Sequence, residues 1–341
     1  MKKLTIVTDT WVPNVNGVVT SISHIQQILQ TQNCAVAIIQ PADFPTIRLP
    51  TDKELRLSLA TRRKIEKLIR QQKPDFIHLA TEGPLGLSAR FACLKNRWHF
   101  TAAYHTRLPE YIQDRLHSTA LAKLSYDYLR WFHNAADRTL VSTESLKTEL
   151  AGKKIINLAV SPLVGVDIQL FKKNPEAKLP EGWQKPVFVF FGRLAPEKNL
   201  PAFLDLDLPG TKLVMGEGPQ KPFLEKTYGK TTKFMGILKQ QALVDVLSVC
   251  DVMVFPSKTD TFGLVMIEAL ACGLPVAAYN VSGPKDIIEI GVDGYMGDDL
   301  KSAALACLKL KGENCRKKAE QFSWESASEK FLAHQVASQV I

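Results

Sequence analysis

The residues best equipped for chemistry lie in PSKTDTFGLVMIEALACGLPV, Pro256 to Val276, where two carboxylates, Asp260 and Glu268, are separated by seven residues. The run Asp251 to Phe255 reads as a buried strand, and Leu264 to Ala271 reads as a helix closed by Gly273 and Pro275. A polar loop therefore leaves a strand and enters a helix. In an open α/β sheet such loops stand at the carboxyl edge, where ligands bind, and a helix start offers unpartnered N–H groups and the positive end of a dipole. Phosphate is the expected guest. Glu268 falls inside an apolar helix, where a carboxylate is costly to bury unless it accepts hydrogen bonds. Either it turns to solvent or a lysine, or it receives hydroxyl groups of a ligand.

A second cluster follows another apolar strand, in VFVFFGRLAPEKN. Arg193 and Lys198, five residues apart across a strand-to-helix loop, can converge on one anion. His105, in YHTRLPEYI, ends a strand spanning Phe100 to Tyr104, with Arg107 and Glu110 in the same loop. Glycines mark two further loops: Gly17, after Asn16 in DTWVPNVNG, and Gly216 and Gly218 flanking Glu217 in LVMGEGP. Each lets backbone approach a ligand and serves equally as a turn glycine. No GxGxxG follows the first strand, Lys3 to Thr8, which weighs against a dinucleotide dehydrogenase.

An acid, seven residues and then Glu, with GR…EKN upstream and the runs TDTW.PNVNGVV, ATEGPLG, AYHTR.PEY and PS.TDTFGLV, resembles the retaining glycosyltransferases of the GT-B fold. The likeness is to glycosyltransferase family 4 (group 1), and within it to the bacterial mannosyltransferase-like and glycolipid-forming subgroup. It extends from the first strand to the last helix. It implies an α/β protein of two Rossmann-like, doubly wound parallel-sheet domains facing a central cleft. It also implies a hexose of the mannose or glucose type moved from a GDP- or UDP-sugar to a hydroxyl of a lipid or glycan. By resemblance, Asp260 lies against the donor sugar, the N–H groups of Phe262, Gly263 and Leu264 hold the diphosphate, and Glu268 binds the ribose. Most members carry Glu where this chain has Asp260, one methylene shorter. Arg193 and Lys198 neutralise the diphosphate in place of a metal, so no metal or other cofactor is expected. Gly17 lies near the diphosphate and acceptor, Gly216 and Gly218 line the donor site, and His105 contacts the sugar near the reaction centre. The turn in KFMGILKQQAL, with Ile237, holds the base through backbone groups. A GT-B nucleotide-sugar epimerase, or a nucleotide-sugar or membrane binding protein without turnover, stand as alternatives.

Positioning these groups takes two domains, since 341 residues is long for one core. The segment GVDIQLFKKNPEAKLPEGWQKP reads as a linker, and a GVD…F passage (Gly165, Val166, Asp167, Phe171) puts the boundary near residue 170. The expected division is 1–170, 171–322 and a C-terminal helix, 323–341, crossing back to the first domain. Residues 1–160 hold 22 Lys+Arg against 13 Asp+Glu, so the whole excess of +9 belongs to the first half. After an irregular stretch to about Asp52, a helix carries Arg62, Arg63, Lys64, Lys67, Arg70 and Lys73 on one face. Such a face is either merely solvated or suited to an anionic membrane surface. A nucleic-acid partner is not expected. No uncharged apolar run approaches the ~20 residues that span a bilayer, and no leader is evident. Six cysteines without a CxxC pair read as buried thiols. Together these point to the cytoplasm, with the inner face of the membrane as a peripheral site.

Overall fold

The computed structural model describes residues 1–14, 16–49, 52–110, 112, 118–238 and 240–340, with backbone alone at 48, 49 and 52–57. The chain divides into two compact units, one formed by Met1–Pro109, Ser118–Val164 and Trp324–Ile341, the other built on Gly165–Ser323.

The first unit runs β1 (Lys2–Val7), α1 (Gly17–Thr31), β2 (Cys34–Ile39), β3 (Thr46–Leu49), β4 (Asp52–Ser58), α2 (Arg62–Gln72), β5 (Phe76–Leu79) and α3 (Pro84–Asn96). It continues through β6 (Thr101–Ala103), α4 (Thr119–His133), β7 (Arg138–Val141), α5 (Glu144–Gly152) and β8 (Leu158–Val160). Its six-stranded sheet is ordered β2-β1-β5-β6-β7-β8, with every neighbouring pair parallel. A parallel sheet needs helices on both faces, so its strands alternate between two cores. Leu4 and Ile6 pack with Ile22, Ile25 and Leu29 of α1, whereas Val7, Ile77 and Leu79 pack with Ile65 and Ile69 of α2 and Leu85 and Ala89 of α3.

The second unit repeats the plan with β9 (Val187–Phe191), α6 (Pro201–Leu204), β10 (Thr211–Met215), α7 (Lys221–Tyr228), β11 (Thr232–Phe234), α8 (Gln240–Ser248), β12 (Val252–Phe255) and α9 (Leu264–Ala271). There follow β13 (Val276–Ala278), α10 (Pro284–Ile287), β14 (Gly294–Met296), α11 (Leu300–Cys307) and α12 (Gly312–Ala319). The strand order is β11-β10-β9-β12-β13-β14, again all parallel. The last helix, α13 (Trp324–Ala333), belongs to the first unit, where Trp324 stacks on His24 of α1 at 4.4 Å.

Three elements differ from the sequence reading. The stretch before α2 is a β-hairpin, β3 against β4, rather than irregular chain and helix. The cause is the period-two alternation of Lys53, Leu55 and Leu57 with Glu54, Arg56 and Ser58, and α2 waits for its N-cap, Thr61, whose hydroxyl accepts from Lys64 N. Gly291 to Gly297, a glycine-flanked run that reads as a turn in the sequence, contains the edge strand, Gly294–Met296 pairing as β14. The final helix stops at Ala333, and the chain beyond it pairs back at Ala337 with Phe76. All six cysteines are buried free thiols.

Candidate active site

In each sheet the strand order reverses at one point, and ligands of such folds bind outside the carboxyl ends of the strands that flank it. In the second unit that point lies between β9 and β12. Lys198 comes from the loop after β9 and Asp260 from the loop after β12. They meet as an ion pair, Lys198 Nζ to Asp260 Oδ1 at 2.5 Å, with side chains 21% and 13% exposed. Hydrogen bonds fuse the two loops around this pair. Ser257 Oγ and Thr259 Oγ1 donate to the Glu197 carbonyl at 3.1 and 3.4 Å, and Asn199 Nδ2 donates to the Pro256 carbonyl at 3.2 Å. Asn199 also takes a left-handed turn, φ 54°, closing the single 3₁₀ turn Pro196–Lys198; asparagine tolerates that region better than most residues. The physical content of EKN is therefore a buried Glu197 whose carbonyl anchors the neighbouring loop, a lysine for the acid, and an asparagine for the turn.

Asp260 Oδ2 is buried and has no hydrogen-bond partner among the described residues. A carboxylate oxygen in that condition is costly unless something donates to it. Next to it, α9 begins at Gly263, which holds φ 96° and supplies no side-chain cap. A Cβ at Gly263 would stand 2.8 Å from Met266 Cε and 3.0 Å from Phe255 Cζ. The first N–H groups of a helix lack intrahelical acceptors, so this uncapped start is a place for negative charge. Arg193, in the β9 loop, is half-buried. Gly283, at φ 95°, brings the loop before α10 against the Asp260 and Phe262 carbonyls, where a Cβ would come within 3.2 and 3.0 Å.

Glu268 lies on the fifth position of α9. The residue is half-buried, and among the described residues no hydrogen bond or ion pair holds its carboxylate. Burial pushes its pKa up from 4.5 to about 7. Among the described residues, then, no lysine pairs with it. Ile237, in the loop after β11, exposes 55% of its surface, beside Gly236 at φ 66°.

Gly216 and Gly218 have a more immediate reason to be glycine than ligand approach. Cβ atoms there would lie 1.9 Å from the Gly192 carbonyl oxygen and 2.4 Å from that of Leu194, because the β9 and β10 loops run backbone against backbone. Glu217 between them pairs with Lys221.

In the first unit, Gly17 opens α1, with Asn16 as N-cap accepting from Val19 N at 3.0 Å. His105 lies just beyond β6. Burial lowers its pKa to about 4, partly opposed by Glu82, so the imidazole is neutral at ordinary pH. Arg107, by contrast, is spent on the fold: its guanidinium grips Glu149 of α5 bidentately at 2.8 and 2.7 Å. Sequence reasoning missed Asp9. Its carboxylate accepts from Leu85 N (2.7 Å), Gly86 N (3.3 Å) and Thr81 Oγ1 (2.7 Å), filling the start of α3. A Cβ at Gly83 would come within 2.5 Å of that carboxyl, which explains a glycine in TEGPLG. The acid directly after β1 was the available signal. Of the basic set on α2, Arg62, Arg63 and Lys67 are exposed, while Lys64 donates to the Asp43 carbonyl and lies over the Phe44 ring at 4.4 Å. Among the described residues, no group of three or more His, Cys, Asp or Glu side chains is placed to hold a metal ion, and no helix is long and apolar enough to cross a membrane.

Two doubly wound units, one of which sets an ion pair beside a helix start without a side-chain cap, are the architecture of the GT-B fold. Residues 171–327 match the family described as glycosyl transferases group 1, and residues 15–160 match glycosyltransferase family 4. Together these span most of the chain, which belongs to the glycosyltransferases. It is 28% identical to a GDP-mannose-dependent alpha-mannosyltransferase of Corynebacterium glutamicum, over 87% of this chain and 76% of that one. It is 29% identical to the sulfoquinovosyl transferase of Arabidopsis thaliana over 89% of this chain, which spans 64% of that protein's length. To the alpha-monoglucosyldiacylglycerol synthase of Acholeplasma laidlawii it is 25% identical, over 80% of this chain and 79% of that one. Among solved structures, the sucrose-phosphate synthase of Thermosynechococcus elongatus superposes with a TM-score of 0.76 over 98% of both chains, at 19% identity.

Proposed function

We propose that this glycosyltransferase moves a hexose from a nucleoside diphosphate sugar to a hydroxyl group of a lipid or glycan, with retention at the anomeric carbon and without a metal. The observation that carries the reading is the Lys198–Asp260 pair across the β9 and β12 loops, beside the uncapped start of α9. With a donor bound, the N–H groups of Phe262, Gly263 and Leu264 take the diphosphate oxygens. Lys198 and Arg193 offset the charge that grows on the diphosphate as the glycosidic bond breaks; preorganised charge of this kind is usually the largest catalytic term. Asp260, through its buried Oδ2, accepts from sugar hydroxyls. Glu268 accepts from the ribose hydroxyls, and the apolar surface of Ile237 lies against the base. His105 of the first unit is neutral above pH ~4, so what it has to offer a ligand is a hydrogen bond rather than a charge. The names of the relatives support mannose or glucose as the sugar and a glycolipid as the product.

The test is a panel of UDP- and GDP-hexoses in EDTA, with diacylglycerol and simple glycans as acceptors, the product anomer being read by NMR. Transfer with retention supports the reading. Epimerised donor, or thermal stabilisation without any turnover, overturns it.

A further inference from the structure

The first unit exposes apolar side chains that its own packing does not use. On α3, Phe91 and Leu94 are each 44% exposed, and on α4 Trp131 is 44% and Leu124 64% exposed. These are organised rather than scattered. Phe91 and Trp131 approach to 5.8 Å between ring centroids, and Tyr128 continues the row along α4 at 6.0 Å from Trp131. Trp131 is held out deliberately. The guanidinium of Arg90, itself only 4% exposed, lies 3.6 Å from the centre of the indole and donates to the Trp131 and Phe132 carbonyls at 2.8 and 3.2 Å. One side of the ring is thereby fixed while the ring as a whole stays accessible.

Beside this ridge, and sharing α3 with it, runs a basic groove of about 520 Å³ lined by Arg63, Glu66, Lys67, Arg70, Gln71 and Lys95. Lys95 stands one helical turn beyond Phe91, so ridge and groove are one surface. Four cations face a single acid, Glu66, which Arg70 already engages at 3.4 Å. A solvated helix face explains the cations and leaves the ridge unexplained. A buried protein interface explains the ridge, but such interfaces are depleted of lysine, and Lys67 and Lys95 stand here beside the rings. An aromatic ridge flanked by cations matches the boundary of an anionic bilayer, where indole and phenyl rings sit at the level of the headgroups and lysines meet phosphates.

We infer that the α3–α4 ridge, with Phe91, Leu94, Leu124 and Trp131 entering the headgroup layer and Arg63, Lys67 and Lys95 on its phosphates, docks this protein on an anionic membrane. The inference rests on the lipid-acceptor reading for its purpose but is tested apart from it. It moves the contact away from α2 alone, whose Lys64 is tied to Asp43 and Phe44.

Flotation on vesicles of phosphatidylglycerol and phosphatidylcholine, containing no acceptor, is compared with phosphatidylcholine alone at low and high salt. Binding to the anionic vesicles should fall with salt, since attraction over about 10 Å is screened at 0.1 M. Changing Phe91→Ser together with Leu94→Ser should weaken partitioning about tenfold or more, from the lost apolar area. Lys67→Glu with Lys95→Glu should do so comparably at low salt. The melting temperature and slow donor hydrolysis should be retained in both. Lipids brominated near the headgroup should quench the tryptophan emission, and Trp131→Phe should remove most of that quenching while binding persists. Unchanged binding by the Phe91/Leu94 variant, or quenching that survives Trp131→Phe, overturns the inference. Vesicle binding that follows the ridge without transfer to any lipid leaves the surface standing and fells the acceptor reading; lipid transfer indifferent to the ridge does the reverse.

Discussion

Replacing Glu268 by glutamine should make the second unit more stable at alkaline pH while depriving it of its nucleotide. The site carries the carboxyl pKa from 4.5 to about 7 through burial alone, which corresponds to about 3 kcal/mol for holding the ionised form. Because the folded value is the higher one, the folded chain binds the proton more tightly than the unfolded chain. The penalty is therefore absent below pH ~4.5, grows as pH rises towards 7 and is complete above it. Glutamine keeps the shape and never ionises. Calorimetric melts of both proteins at pH 5, 6, 7 and 8.5 should nearly coincide at pH 5 and separate at pH 8.5. There the variant should melt about 6 to 12 °C higher, given roughly 2 to 4 °C per kcal/mol for a domain of this size. If ribose hydroxyls donate to the carboxylate, nucleotide binding near pH 6.5 should also release a proton. It would be visible as a binding heat that changes with the buffer, and absent in the variant. Parallel melting profiles across the pH range would refute the premise that the carboxylate lacks a partner.

Other outcomes follow from the same geometry. Lys198→Ala should lower turnover by about 100-fold, the scale of one lost preorganised contact, with wild-type activity persisting in EDTA; strict dependence on added Mg²⁺ or Mn²⁺ contradicts this. Asp260→Asn should spare the affinity for free nucleoside diphosphate, measured by calorimetry, and impair only the sugar-bearing donor, whereas Glu268→Gln should weaken both. Gly216→Ala should destabilise the second unit by about 3 kcal/mol or more, since its Cβ meets a backbone oxygen. Gly152→Ala, which meets nothing within 4 Å, should leave the melting temperature unchanged or slightly raised.

The doubly wound architecture came from the resemblance carried by motifs such as GR…EKN and PS.TDTFGLV, while single strands such as β9 and β12 were legible directly as unbroken apolar runs. The reading of Leu264 to Ala271 as a helix coincides with α9, since Gly263 and Gly273 allow no longer one. The β3–β4 hairpin was missed because its alternation is short and charged, and the neighbouring cations drew it into the helix pattern. What sequence could not supply was pairing at long range. Lys198 and Asp260 were assigned separate partners, and only the adjacency of β9 and β12 joins them across 62 residues. Likewise the pairing of Arg107 with Glu149, 42 residues on, could not be read from its loop. On α3, apolar on nearly all sides, composition does not tell Phe91, which faces outward, from Ala89, which is fully buried.

Helices α3 and α9 hold equivalent places, each following the strand that joins the central one at the point of reversal. Their starts differ in charge. In the first unit the chain carries its own anion there: Asp9, from the loop after the central strand, satisfies the N–H groups of Leu85 and Gly86. In the second unit the loop after the central strand delivers Arg193 and Lys198, and the helix start has no cap. In one half an aspartate of the chain fills the helix start, whereas in the other Lys198 pairs with Asp260 and the helix start carries no side-chain cap, an arrangement suited to a bound anion. Exchanging the two loops, an aspartate for the cations and the reverse, should carry nucleotide affinity from one half to the other.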